Sequence, residues 1–265
     1  MREPTAPALG TVPALAAHGL HVRAGNRLLV ADLQLQLAPG ELLAVLGCNG
    51  SGKTLTLHTL AGLRPPDAGR VELEGRPIRA IGRRALARRL GVLTQDSEEG
   101  LTTRVLDCVL IGRHPHLHLL QWETAADRQL AHECLERVGL AELAERTLAT
   151  LSGGEQRRVA IAALLAQQPH VYLLDEPTNH LDPQHQLRAL ELFRQLTRTG
   201  RSVIASLHDP SLAARFADRA LLLLGDGRWI EGPAEEILTA EHLQELYHTP
   251  MLQLSAAGRR LFASA

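Results

Sequence analysis

Eight residues, Gly47-Cys48-Asn49-Gly50-Ser51-Gly52-Lys53-Thr54, constrain this 265-residue chain more than any other stretch. A glycine, four residues, then Gly-Lys-Thr is the pattern of a phosphate-binding loop. Its flanks suit that role. Leu42-Leu43-Ala44-Val45-Leu46 is a short apolar run of the kind that forms a buried strand. Thr54 to Ala61 reads as a helix, stopped by Gly62 and the Pro65-Pro66 pair. Between the two, glycines let successive backbone N–H groups turn inward toward an anion, and the positive end of the helix dipole faces the same point. Lys53 adds a mobile charge for the outer phosphates, and the Thr54 hydroxyl is a ligand for Mg²⁺. Strand, turn and helix in this order predict an α/β fold.

Composition narrows the rest. The net charge is −1, which argues against nucleic-acid binding through bulk positive charge, and aromatics are only 3%, too few for a base-stacking platform. No apolar run approaches the ~18 residues of a membrane-spanning helix, and the Met1-Arg2-Glu3-Pro4-Thr5 start has no signal-type apolar core. Cys48, Cys108 and Cys134 show no disulfide or metal spacing, so a reducing cytoplasm fits best.

Along the chain, residues 1–13 and 251–265 read as tails. Leu33, Leu35 and Leu37 alternate with Gln34 and Gln36 as a half-buried strand, and Val71 and Leu73 alternate with Glu72 and Glu74 as another, closed by Gly75. Arg83, Arg84, Arg88 and Arg89 read as a solvated helix face. Gly91 to Gln95 is a short strand ending in a polar residue. A helical block then interrupts the pattern, with Leu130, Cys134, Leu135 and Val138 at helical spacing and Gly139 as the stop. Strands return at His170–Glu176 and Ser202–Leu207. Leu221 to Ile230 reads as a hairpin with an Asp226-Gly227 turn, and Thr239 caps a last helix reaching Tyr247.

A second chemical group is Asp175-Glu176 at the end of an apolar strand. Two acids there can simply cap the strand. Beside a phosphate loop, Asp175 would hold Mg²⁺ and Glu176 would act as general base toward an attacking water. A third group is Leu151-Ser152-Gly153-Gly154-Glu155, ahead of the Ala-rich helix Val159–Ala166, which forms another helix N-terminus suited to an anion.

These groups, with Asp175-Glu176-Pro177-Thr178-Asn179-His180-Leu181-Asp182 and His208 in the same order, resemble the nucleotide-binding subunits of ATP-binding cassette (ABC) transporters over residues 14–250. The resemblance implies a P-loop NTPase core (14–96 and 156–250), an antiparallel β subdomain and an inserted α-helical subdomain (97–155). It implies a head-to-tail homodimer with ATP between the phosphate loop of one subunit and Ser152, Gly153, Gly154 and Glu155 of the other. Gln95 looks like the glutamine that touches Mg²⁺ or water, Asp182 like the acid that crosses the interface, and His208 like the histidine that meets the γ-phosphate. Family members usually stack an aromatic residue on adenine. The aligned place here is Ala24, and the first aromatic residue is Trp122, which leaves Arg23, His21 or a loosely held base.

No transport pathway lies in the chain, so the resemblance implies a separate integral-membrane permease, an indirect periplasmic or surface substrate-binding protein, and a peripheral place on the cytoplasmic face of the inner membrane. Val105–Pro115 looks like the importer branch serving ferric siderophores, haem and cobalamin, or like ordinary helix of any importer ATPase. The rival classes are a non-transport ABC ATPase and a nucleotide-gated module without hydrolysis. Cys48 is read either as a reactive thiol beside the nucleotide or as inert filling beneath the loop.

Overall fold

The computed structural model describes residues 12–95, 102–118 and 121–265. The chain opens with β1 (Leu15–Ala24) and β2 (Arg27–Leu37), then β3 (Leu42–Leu46), α1 (Lys53–Leu60), β4 (Ala68–Leu73), β5 (Arg76–Pro77), α2 (Arg83–Ala87) and β6 (Leu90–Leu93). Three helices follow: α3 (Val105–Ile111), α4 (Ala125–Arg137) and α5 (Gly153–Gln167). The chain then returns to β7 (Val171–Leu174), α6 (Pro183–Arg198), β8 (Ser202–Ser206), α7 (Pro210–Phe216), β9 (Arg219–Leu223) and β10 (Trp229–Pro233). It ends in α8 (Ala234–Ile237), α9 (Ala240–Tyr247), β11 (Met251–Ala256) and β12 (Arg259–Ser264).

The central sheet has the order β10-β9-β3-β8-β7-β6. β9, β3, β8, β7 and β6 run parallel, and β10 is an antiparallel edge. Every residue of β3, β7 and β8 is buried, because a parallel sheet is covered on both faces. Side-chain alternation divides the core in two. Leu43, Val45, Leu173 and Ile204 face the antiparallel sheet β2-β1-β4-β5, where Leu33, Leu35 and Leu37 meet them. Leu42, Ala44, Leu46, Tyr172 and Leu174 face the helices on the other side.

Helix ends follow from local chemistry. Thr124 and Asp127 form a capping box on α4, Ser152 and Glu155 form one on α5, and Asp182 caps α6 with Pro183 at its first turn. Each such cap stabilises by about 1 kcal/mol. Within the helical block α3 touches α5 closely at Gly112, where a Cβ would lie 2.1 Å from the Ala163 carbonyl oxygen. Arg113 then donates to Asp127 at 2.8 Å and to the Ala166 carbonyl at 2.8 Å, tying α4 to α5. The Gly-Arg pair of the Val105–Pro115 segment therefore has a packing role of its own.

Several expectations change. Residues 251–264 form a β-hairpin, not a loose tail: Phe262 N–H donates to Ser211 Oγ at 3.0 Å and Arg260 donates to the Glu235 carbonyl at 2.9 Å. α9 is the last helix, reaching Tyr247 as expected, and the hairpin follows it. α5 runs unbroken through residues 155 and 156, where a boundary is expected, and packs on α3 and α4. The β9–β10 connection closes at Leu224 N–H to the Arg228 carbonyl, a longer turn than Asp226-Gly227 alone. The arginine cluster does more than face solvent, since Arg84 and Arg88 both donate to the Pro115 carbonyl and Arg89 pairs with Glu74. Residues 1–11 and the expected boundary at 96/97 lie outside the described residues.

Tyr172 and Phe193 meet edge to face, ring centroids 5.8 Å apart at 63°, joining β7 to α6. Phe193→Ala is expected to destabilise the chain by about 3–5 kcal/mol in urea unfolding. A loss below about 1 kcal/mol would show that α6 does not anchor the sheet through this ring.

Candidate functional site

The carboxyl ends of β3, β6, β7 and β8 converge at one edge of the central sheet, where ligands of open α/β sheets bind. A cavity of about 530 Å³ opens there. Cys48, Asn49, Gly50, Gly52, Lys53 and Thr54 line it from the loop after β3, Gln95 from the end of β6, Glu176 and Asn179 from the segment after β7, and His208 from the end of β8. Gly47 and Ser51 complete the loop, with Ser51 N–H closing a turn on the Cys48 carbonyl at 3.1 Å.

Lys53 is 5% exposed, and its ammonium donates to the Gly47 carbonyl at 2.8 Å. Burial pushes it below the ordinary lysine range, while Glu176 and Asp175 pull it back toward the charged form. Asp175 is fully buried. Its Oδ1 accepts from Ser206 Oγ at 2.7 Å, and its Oδ2 has no hydrogen-bond partner among the described residues. A buried acceptor oxygen with no donor suits a cation. Thr54 and Gln95 line the cavity, and Asp175, itself too buried to line it, precedes the lining residue Glu176; together they make an all-oxygen donor set that fits Mg²⁺.

Glu176 sits in the left-handed backbone region, φ +49°, unusual for a residue with a Cβ. Ser206 Oγ accepts from its N–H at 2.8 Å. One carboxylate oxygen meets His208 Nε2 at 2.6 Å, and the other accepts from Asn179 Nδ2. A buried carboxylate held by two side chains and open to the cavity is placed to take a proton from water. Arg157, in the first turns of α5, donates to the carbonyls of Thr94, Asp175 and Glu176.

The cavity does not include the second anion site of the same chain. Ser152, Gly153, Gly154 and Glu155 start α5 next to His180, so close that a Cβ on Gly154 would lie 2.8 Å from the His180 carbonyl oxygen. Glu155 is occupied locally: its carboxylate accepts from the Ser152 N–H at 2.7 Å, which holds it below the usual carboxylate range. Asp182 likewise accepts from the His185 N–H at 2.9 Å as the cap of α6, and that bond lowers its carboxyl.

Two open alternatives narrow. Cys48 Sγ donates to the Leu246 carbonyl at 3.1 Å, a role open only to the protonated thiol, so the geometry favours the quiet thiol over the reactive one. Ala24 lines the cavity with Leu29, and neither Arg23 nor His21 does, so neither stands ready to stack on a base. Sequence reasoning missed Ser206, Arg157 and Leu29. Arg157 acts through backbone carbonyls distant in sequence, Ser206 through the Asp175 carboxylate and the Glu176 N–H some 30 positions away, and Leu29 reads only as part of a strand.

Comparison with known proteins identifies the family. The ABC transporter family matches residues 30–179. A hemin import ATP-binding protein of Gloeobacter violaceus is 42% identical over 238 residues, covering 87% of this chain and 86% of its own. A metal-chelate type ABC transporter solved in an inward-facing conformation superposes with a TM-score of 0.82 at 30% identity, covering 96% of this chain and 98% of that one. A dimeric ATP-binding cassette in a post-hydrolysis state, bound to ADP and phosphate, superposes at 0.72 with 26% identity, covering 83% and 98%. With the phosphate loop, the acid pair and the histidine gathered at one sheet edge, the chain belongs to the ABC transporter family and is an ABC ATPase.

Proposed function

We propose that the chain is the ATP-hydrolysing subunit of an importer for haem or another iron chelate, acting as a homodimer beneath a separate permease. The observation that carries the dimer is the distance in function between two halves of one chain. The loop cavity holds one anion site, and the start of α5 presents a second that takes no part in it. Two chains placed head to tail complete both, with each ATP between one phosphate loop and the other chain's Ser152, Gly153 and Gly154. The dimeric cassette among the similar structures supports this arrangement. The iron-chelate cargo rests on the similarity to the hemin import protein and the metal-chelate type transporter. Cobalamin is the second candidate cargo.

In this mechanism the loop amides and Lys53 bind the phosphates, with the ammonium exchanging the Gly47 carbonyl for phosphate oxygens. Thr54, Asp175 and Gln95 would hold Mg²⁺, which when bound neutralises charge on the β- and γ-phosphates. Glu176 orients the attacking water and accepts its proton, while Asn179 keeps the carboxylate in place. His208 moves from Glu176 to the γ-phosphate. Hydrolysis removes the γ-phosphate that bridges the two chains, so the dimer reopens, and α3 to α5 pass that motion to the permease on the cytoplasmic membrane face.

Glu176→Gln is expected to lower turnover by about 10²–10⁴ while ATP still binds. The same variant should elute as an ATP-dependent dimer in size-exclusion chromatography. Adding Ser152→Arg should return it to a monomer that still binds ATP; a dimer that survives Ser152→Arg would overturn the head-to-tail arrangement. Near-wild-type turnover in Glu176→Gln would remove it as the base.

The cavity wall at Ala24 and Leu29 gives a purine only aliphatic contact. Discrimination between ATP and GTP should therefore be weak, and Ala24→Tyr should tighten nucleotide binding by roughly 1–3 kcal/mol, the range of base–aromatic stacking. Unchanged affinity by titration calorimetry, together with strong ATP preference, would mean another group holds the base. Cargo is tested by purifying the tagged chain from detergent-solubilised membranes of its host. A co-purifying permease that transports haem or an iron chelate in vesicles supports the assignment, and one that transports neither overturns it.

A further inference from the structure

Arg157 is the largest buried charged side chain among the described residues, 2% exposed, and it lies outside the phosphate loop, the acid pair and the Leu151–Glu155 segment. Burial of a guanidinium is normally answered by a carboxylate. Here all its hydrogen bonds among the described residues go to backbone carbonyls. Nη1 donates to Thr94, at the end of β6 and one residue before Gln95. Nη2 donates to Asp175 and, at 2.8 Å, to Glu176. The Asp175 and Glu176 carboxylates add attraction without touching it. One side chain thus joins α5 to the ends of β6 and β7.

The contact at Glu176 is the informative one. Its left-handed backbone is unfavourable for a glutamate and persists where neighbours hold both the N–H and the carbonyl of the residue. Ser206 holds the N–H side and Arg157 holds the carbonyl side. The direction of the Glu176 side chain follows from that backbone, and in this direction its carboxylate meets His208 and Asn179.

We propose that Arg157 is a positioning residue for hydrolysis: it fixes the Asp175–Glu176 peptide so that the Glu176 carboxylate points into the cavity, and it makes that aim depend on where α5 stands. The proposal rests on Glu176 being the general base. Arg157→Lys keeps the charge but cannot span three carbonyls, and Arg157→Gln removes the charge. Neither alters the phosphate loop.

The test measures ATPase rate and nucleotide affinity for both variants, alone and combined with Glu176→Gln. Residual turnover is followed by release of radiolabelled phosphate. Rates are normalised to nucleotide-binding sites and taken below each variant's melting temperature, so misfolded protein does not enter. Alone, each variant should lower kcat by about tenfold or more with KM and Kd for ATP within about twofold. In the Glu176→Gln background the same substitution should change the residual rate by less than about twofold, because the group it aims is already gone. Equal losses in both backgrounds, or kcat unchanged in Arg157→Lys and Arg157→Gln, would overturn the proposal. Failure of the underlying assignment is separately visible, since Glu176→Gln alone would then turn over normally.

Discussion

Charges of both signs must share one point that water barely reaches. Asp175 is fully buried, Glu176 nearly so, and Lys53 is 5% exposed. A charge placed there without a partner is costly. Burial pushes the Lys53 ammonium below the ordinary lysine range, and the two carboxylates draw it back. That balance requires the groups to come from separate strands that end at the same level. β3 supplies the loop and Lys53, β7 the acids, and β8 Ser206 and His208, and β3, β8 and β7 are neighbours in a parallel sheet. Parallel strands need cover on both faces, so the antiparallel sheet on one side and the helices on the other follow from the same demand.

Features encoded by a local pattern were legible before the fold was known. The phosphate loop has the strand and helix its spacing requires. Leu33, Leu35 and Leu37 point to the core while Gln34 faces solvent, as alternation demands. Thr239 caps α9 as its side-chain chemistry suggests. Features that depend on distant backbone atoms were not legible. Arg157 looks like any polar residue in a helix, yet its partners lie 63, 18 and 19 positions away. Nothing within a window of helical length points to those carbonyls.

The C-terminal hairpin failed for a different reason. Leu252 and Leu254 alternate with polar residues in a strand-like way, but their side chains are 49% and 52% exposed. Short exposed strands carry little burial signal. What fixes them is contact with α7 and α9 through Phe262 and Met251, which are partly buried against the main core. The hairpin also stands close to the site by chain connection. α9, which leads into it, receives the Cys48 thiol on the Leu246 carbonyl, and Tyr247 donates to the His208 carbonyl at 3.3 Å. The last third of α9 therefore steadies both the loop and the histidine segment, a role that neither motif discloses.

α5 does two jobs a short distance apart. Its first residues, after Ser152, would meet the other chain's nucleotide in the proposed dimer, and Arg157 holds its own chain's Asp175–Glu176 peptide. Arg157 lies five positions after Ser152, a rise of about 7.5 Å at 1.5 Å per residue. The capping box formed by Ser152 and Glu155 keeps that interval helical from its first turn. A segment so short and so well closed transmits displacement instead of absorbing it. If Arg157 aims the base, a shift of α5 against the partner's nucleotide reaches Glu176 through a single guanidinium. Occupancy of one site and readiness of the other are then linked through packed atoms, without a loop that must fold or unfold.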